Sequence, residues 1–245
     1  MKLAKQAYRS IYEKEDEHWW FLGRRKVLGA LLDGLEPGGE WRILDVGCGT
    51  GGNFAFLSRY GEVEGCDYSE EAVRFCRLRG GVPVKEASIY ELPYPDESFD
   101  LVTCLDVIEH LRLDLPAFLE LKRVAKKGGR LLVTLPAGPG LYSDFDCLAG
   151  HLRRYTLPEV KLLMRESGLE IERLTGYTVL VHPLIRYYRR RGSFSGGDGK
   201  YTQAMETIFR PTNRLLEMAL ALEARLVSRW DLRGGSSLAA LARRS

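Results

Sequence analysis

Apolar positions along the chain change their period several times. Tyr8, Ile11 and Tyr12 share a helical face, and Val27, Leu28, Leu31 and Leu32 form a second stripe, so the N-terminal region reads as helical. His18, Trp19, Trp20, Phe21, Arg24 and Arg25 form an aromatic and basic patch between the stripes, and Glu36-Pro37-Gly38-Gly39 closes the region as a loop. Short apolar runs then alternate with helical stripes. Arg42 to Val46, Glu62 to Cys66, Val82 to Lys85, Phe99 to Leu105 and Arg130 to Leu135 read as strands. Helices lie between them. One runs through Phe54, Phe56 and Leu57. The next is capped by Ser69 with Glu70 and Glu71 in its first turn, and a third, Leu115 to Val124, has Asp114 as its expected cap. Pro93 to Ser98 is a turn, and Gly128-Gly129 is expected to turn the chain into the fifth strand.

The pattern loosens after Pro136, where a loop is expected to run to His151. A helix follows from Leu157 to Ser167, with Thr156 and Glu159 spaced as a capping box, Pro158 in its first turn and Gly168 as its stop. Leu169 to Leu174, extended through Tyr177 to Leu180, is the sixth strand, and Ser236 to Leu241 the last. The stretch between them is helical and split at Gly192 to Gly199. Strand–helix alternation of this kind predicts an α/β fold, a largely parallel sheet with helices on both faces. The expected division is a helical lid over 1–39, a core over 40–181 and 231–245, and a helical insertion over 182–230, all within one structural domain.

Composition narrows the class. The 245 residues can bury a full α/β core, and a formal charge of +3 gives no bulk electrostatic case for DNA binding. No stretch reaches the roughly 18 apolar residues needed to cross a bilayer. The N-terminus lacks the apolar core of a signal peptide, and the five scattered cysteines show no C-x-x-C pair. The expectation is a reduced, cytoplasmic protein.

Chemistry concentrates at Leu44-Asp45-Val46-Gly47-Cys48-Gly49-Thr50-Gly51-Gly52. Glycines between a strand and a helix let a ligand approach the backbone. Asp67, at the end of the second strand, could accept hydrogen bonds from both hydroxyls of a ribose. Gly47, Gly49 and Gly52 also satisfy the G-x-G-x-x-G pattern of dinucleotide-binding proteins. A nicotinamide-dependent oxidoreductase therefore stays open on these residues alone.

The run LDVGCGTG resembles the cofactor motif of class I S-adenosylmethionine-dependent methyltransferases. ELPYPDESFDLVTCLDVIEHL and KKGGRLLVTLPA are similar to later motifs of the same superfamily, especially its ubiquinone-biosynthesis-like branch, and the resemblance covers residues 40–180. It implies a Rossmann-like seven-stranded sheet whose last strand is antiparallel, with S-adenosyl-L-methionine as cofactor. Carried over residue by residue, it implies that Asp45, Gly47, Cys48, Gly49 and Gly51 line the methionine and ribose portion. Asp67 would hold the ribose and Tyr68 would lie beside the adenine. Ser88 takes a slot where the family often has aspartate, next to Ile89, and Leu105 would approach the methionine portion. Trp20 and Arg24 are candidate cofactor contacts from the lid, through an aromatic face for the sulfonium and a guanidinium for the carboxylate; Arg25 is the alternative for the latter.

Asp106, Glu109 and His110 follow the fourth strand, and on a helix they would share a face. The D-x-x-E-H run is similar to the E-x-x-E-H metal site of ubiquinone-biosynthesis O-methyltransferases and of small-RNA 2′-O-methyltransferases, with aspartate replacing the first glutamate. That resemblance implies a divalent cation (Mg, Mn or Zn) held by Asp106, Glu109, His110 and His151. Without a cation, His110 or His151 would act as general base, and Asp106 and Glu109 would cap a helix. The expected reaction is O-methylation of a small-molecule, sugar or lipid-linked hydroxyl. A non-catalytic cofactor-binding subunit is the other alternative. The basic run Arg186 to Arg191, with Leu215, Leu216, Met218, Leu220, Leu222, Leu226, Val227 and Trp230, suggests peripheral contact with a membrane. The chain is expected as a monomer or homodimer.

Overall fold

The computed structural model describes residues 5–35, 40–191 and 212–245. The expected break at Gly192 to Gly199 lies outside them.

Seven strands form one sheet: β1 (Trp41–Val46), β2 (Gly61–Asp67), β3 (Val84–Glu86), β4 (Phe99–Leu105), β5 (Ala125–Pro136), β6 (Leu169–Tyr177) and β7 (Ser237–Arg244). Their order is β3-β2-β1-β4-β5-β7-β6. The first five pair in parallel, and β7 enters antiparallel between β5 and β6. This is the mixed sheet implied by the resemblance.

Alternation along the inner strands builds two cores. Val102 and Cys104 of β4, Leu131, Val133 and Leu135 of β5, and Leu238, Ala240 and Ala242 of β7 bury on one face. Their neighbours Leu101, Leu105, Leu132, Ala239 and Leu241 bury on the other. A sheet covered on both faces carries apolar residues in both registers, which is why these strands read as continuous apolar runs.

The helices divide accordingly. In chain order they are α1 (Lys5–Lys14), α2 (Trp19–Leu32), α3 (Phe54–Leu57), α4 (Glu70–Arg79), α5 (Asp114–Val124), α6 (Asp144–Ala149), α7 (Leu157–Glu166), α8 (His182–Arg191) and α9 (Asn213–Val227). α5 and α7 cover the first face with Ala117, Phe118, Leu121, Val160 and Met164. α2, α3 and α9 cover the second with Val27, Leu28, Leu57, Ala224 and Val227. α2 and α9 approach closely because Gly23 has no side chain: a Cβ there would lie 2.3 Å from Leu220 Cδ2. Trp19 N–H also donates to Asn213 Oδ1 at 2.8 Å, tying the start of α2 to α9.

Several local expectations shift. β3 lies two residues later at its start. β5 begins at Ala125, because Gly128, at φ +73, lets the strand pass through an irregularity instead of starting after it. Leu113 is the N-cap of α5 and Asp114 is its first residue. The stretch from Pro136 to His151 is not all loop: it holds a 3-10 turn, Pro139–Leu141, and α6. Among the described residues no helix is long and apolar enough to cross a membrane.

Candidate active site

The C-terminal ends of β1, β2 and β4 open into a cavity of about 730 Å³. In a parallel sheet this edge is where crossover loops diverge and ligands bind. The glycine loop forms its floor. Gly47 sits at φ +70, and a Cβ there would stand 2.4 Å from Val107 Cγ2, so only glycine fits. Gly49, at φ +57, has nothing within 4 Å of where a Cβ would be, which leaves its backbone bare to the cavity.

Asp67 ends β2 with its carboxylate held in place. Gly49 N–H donates to Oδ2 at 2.9 Å and Ser69 N–H to Oδ1 at 2.8 Å. Burial pushes this carboxyl up, and the backbone N–H groups of Ser69, Gly49 and Tyr68 oppose that rise. Trp20, Cys48, Tyr68, Ser88, Ile89 and Leu105 also line the cavity.

Asp45 and Gly51 do not line it. Asp45 is buried behind the loop and accepts from Thr103 Oγ1 at 2.6 Å. Burial pushes its carboxyl up to about 6. Its place is under the loop, where it braces β1 against β4 and does not border the cavity in which its cofactor contact is expected. Gly51, at φ +82, packs against Phe54 and Arg79 and likewise does not border the cavity.

Arg24 is fully buried yet borders the cavity. Its guanidinium pairs with Asp106, donates to Asn53 Oδ1 at 3.2 Å and lies 4.7 Å from the Trp20 ring centroid. Nε has no acceptor among the described residues. Arg25 is excluded as the alternative: it donates to Gly52 O at 2.9 Å and Glu15 O at 2.6 Å, fastening the N-terminal segment to the glycine loop. Glu15 pairs with Arg79 at 2.6 Å on the same seam and hydrogen-bonds Thr50.

The D-x-x-E-H segment does not form a helical face of three ligands. Asp106 takes φ +58, and only Ile108–His110 coils, as a 3-10 turn capped by Val107. Asp106 therefore faces Arg24 and does not cap a helix. Glu109, His110 and His151 do converge, each offering one ligand atom within 4.8 Å of the others. Of the four expected ligands these three meet, while Asp106 lies in its ion pair with Arg24.

Both imidazoles are fixed. His110 Nδ1 lies 3.0 Å from Gly150 O, and since a carbonyl only accepts, Nδ1 carries the proton. Burial, and then the neighbouring His151, push His110 down to about 4, so it is neutral at neutral pH. His151 Nδ1 lies 2.9 Å from Asp146 Oδ1, and its Nε2 lies 3.8 Å from Glu109 Oε1. Burial pushes the Asp146 carboxyl up, but hydrogen bonds from His151 and Arg154 and the charges of Arg189 and Arg154 outweigh it, holding it well below the usual carboxylate range. An ionised Asp146 draws the His151 proton to Nδ1 and leaves Nε2 as the unprotonated nitrogen of the neutral ring. Glu109 is wholly buried, with neither carboxylate oxygen hydrogen-bonded. Burial and the charge of Asp106 push it well up.

Asp146 was not among the sequence candidates. Its signal was the Ser143-x-x-Asp146 spacing, which the structure uses as a capping box for α6.

The Methyltransferase domain family matches residues 44–133. A Mycolicibacterium smegmatis protein described as a probable S-adenosylmethionine-dependent methyltransferase is 32% identical over 174 residues, covering 69% of this chain and 66% of that one. The ubiquinone biosynthesis O-methyltransferase of Thiobacillus denitrificans is 31% identical over 188 residues, covering 64% of this chain and 76% of that one. The chain spans about two thirds of the first relative's length. In fold it is similar to a chain of the complex between the Haloferax volcanii Trm112 methyltransferase activator and a methyltransferase. That likeness has a TM-score of 0.64 at 15% identity and covers 99% of this chain and 98% of that one.

Proposed function

Because the chain belongs to the class I S-adenosylmethionine-dependent methyltransferases, we propose that it transfers a methyl group to a hydroxyl of a small, sugar or lipid-linked acceptor, with His151 as general base. Family membership sets aside the nicotinamide reading of Gly47, Gly49 and Gly52. The bare backbone at Gly49 and the fixed Asp67 carboxylate fit S-adenosylmethionine, with Gly47, Cys48 and Gly49 along its methionine portion, Asp67 at its ribose and Tyr68, Ser88 and Ile89 around its adenine. Trp20, Arg24 and Leu105 would enclose the sulfonium end. The cofactor, when bound, supplies an electrophilic methyl on a sulfonium.

The observation that carries the reading is the Asp146–His151 pair at the far end of the cavity. His151 Nε2 takes the acceptor hydroxyl proton. The acceptor oxygen freed of its proton would then take the methyl group, with the sulfur of a bound S-adenosylmethionine as leaving group keeping the bonding electron pair. The resulting imidazolium is stabilised by the Asp146 carboxylate. Alignment and exclusion of water supply the rest of the acceleration.

A second reading rests on Glu109, whose two buried oxygens lack hydrogen-bond partners beside two imidazoles. One carboxylate and two histidines suit a divalent cation, and the carbonyl of Gly150 and carboxylate of Asp146 orient the two rings from behind. Such an ion would lower the pKa of a ligated hydroxyl.

The test is transfer of labelled methyl to a panel of hydroxyl acceptors. With His151→Ala, turnover falls on the order of 100-fold or more, while S-adenosylhomocysteine binding is unchanged. Equal turnover would overturn the assignment of His151. Loss of wild-type turnover on chelation, restored by manganese, would favour the cation. If every acceptor fails while cofactor binding is intact, the non-catalytic alternative gains.

A further inference from the structure

α9 is amphipathic in an unusual sense, because its outward face is apolar too. Leu216, Leu220, Ala224 and Val227 pack inward, on α2 and the start of α8. Outward, Leu215 is 67% exposed, Met218 68% and Leu222 52%, and Trp230, just past the helix end, is 59% exposed. Helical spacing sets Arg214 and Arg225 on the same outward face, Arg229 follows just past the helix end, and all three are exposed.

None of these arginines has a carboxylate partner among the described residues. The nearby acids are engaged elsewhere: Glu217 pairs with Lys26 at 2.6 Å, Asp231 with Arg173 at 2.8 Å, and Glu223 is buried, accepting from Leu180 N–H. The face therefore combines exposed aliphatic side chains, a tryptophan at its end and positive charge that no acid among the described residues pairs.

We infer that this face of α9 docks on the surface of an anionic phospholipid bilayer. The side chains Leu215, Met218 and Leu222 enter the headgroup–acyl boundary, and Arg214, Arg225 and Arg229 meet lipid phosphates. Burial of apolar area and charge attraction add in this geometry, and each arginine near an anionic surface contributes separately. The adjoining α8 puts Ile185, Tyr188 and Arg189 into the cavity wall, so a bilayer held on α9 lies one helix away from the candidate active site. Docking itself does not depend on the methyl-transfer reading.

The experiment is co-sedimentation of the full chain with phosphatidylcholine vesicles and with vesicles enriched in phosphatidylglycerol, at low and high salt. Wild type partitions to the anionic vesicles, and salt releases it. Arg214→Gln, Arg225→Gln and Arg229→Gln together lower that partitioning on the order of 100-fold. Met218→Ser with Leu222→Ser lowers it independently of salt. Circular dichroism and S-adenosylhomocysteine binding, read on each variant, show that the fold is retained. Wild type left in the supernatant, or bound equally to both vesicle types, overturns the inference. So does a dimer in light scattering that the same substitutions split, since the face would then meet a second copy of the chain.

Discussion

Asp146 holds Arg154, Arg189 and His151 at once through a carboxylate that is itself buried. Two guanidiniums keep it ionised, and the ionised form selects the His151 tautomer whose Nε2 is free to accept a proton. In the proposed reaction it is a positioning residue. Asp146→Asn keeps the volume and removes the charge. In a methyl-transfer assay kcat should fall on the order of 100-fold, with the cofactor dissociation constant unchanged; a fall in cofactor affinity alone would assign Asp146 to binding. The same substitution has a pH signature. The folded carboxyl lies below its unfolded value of about 4, so its stabilisation is complete above that pH and is lost as pH drops towards the folded value. Wild type should therefore lose melting temperature more steeply than Asp146→Asn below about pH 4.

Single residues explain the limits of the sequence reading at this scale. The glycine loop and Asp67 were legible because φ > 0, a close backbone approach and an acid at a strand end leave marks in a few consecutive positions. The pairing of Asp106 was not legible because its partner, Arg24, lies 82 residues away on another element. No local pattern reveals that ion pair, nor the left-handed backbone that aims Asp106 towards it.

Elements were legible in proportion to their length and to the chemistry at their ends. The capping box at Thr156 formed as expected: Thr156 Oγ1 accepts from Glu159 N–H at 3.4 Å, and Thr156 N–H donates to Glu159 Oε2 at 2.7 Å. Thr156→Ala should cost about 1 kcal/mol, read as a lower denaturant midpoint with unchanged slope; no shift would mean that α7 is held by Val160 and Met164 alone. α6 escaped because six residues are too few to display a period. The close approach of α2 to α9 was hidden for another reason. Gly23 inside a helical stripe looks only like a weak helix former until Leu220 is seen to fill its place.

At the scale of the whole molecule, the chain divides its work along the sheet. Residues up to Asp67 supply the glycine loop, its acid and the covering helices α1 and α2. Residues from Asp106 to His151 supply the groups at the other end of the cavity. α9 then helps to cover a face that the sheet alone would leave apolar, and α8 packs against α9 and the start of α2. The general architecture followed from strand–helix alternation; the contacts between distant segments did not, because pairing across the sheet depends on tertiary packing. One such contact can be tested by removing residues 237–245. That change should abolish a single cooperative melting transition, since β7 pairs with both β5 and β6 and Arg244 donates to the carbonyls of Lys122, Arg123 and Ala125. A cooperative transition that persists would show that β6 has another anchor.

The position of β7 also sets a timetable for synthesis. β6 reaches the rest of the sheet only through β7, and residues 178–236 separate the two in the chain. As the polypeptide leaves the ribosome, β1 to β5 can pair in the order in which they emerge. β6 must wait for that whole stretch to be translated before it has a neighbouring strand. During that interval β5 offers an open edge, the exposed backbone ladder on which unrelated strands aggregate. Translation pauses or chaperone contacts should therefore matter most over residues 178–236, and slow synthesis there should cost this protein more yield than slow synthesis anywhere upstream.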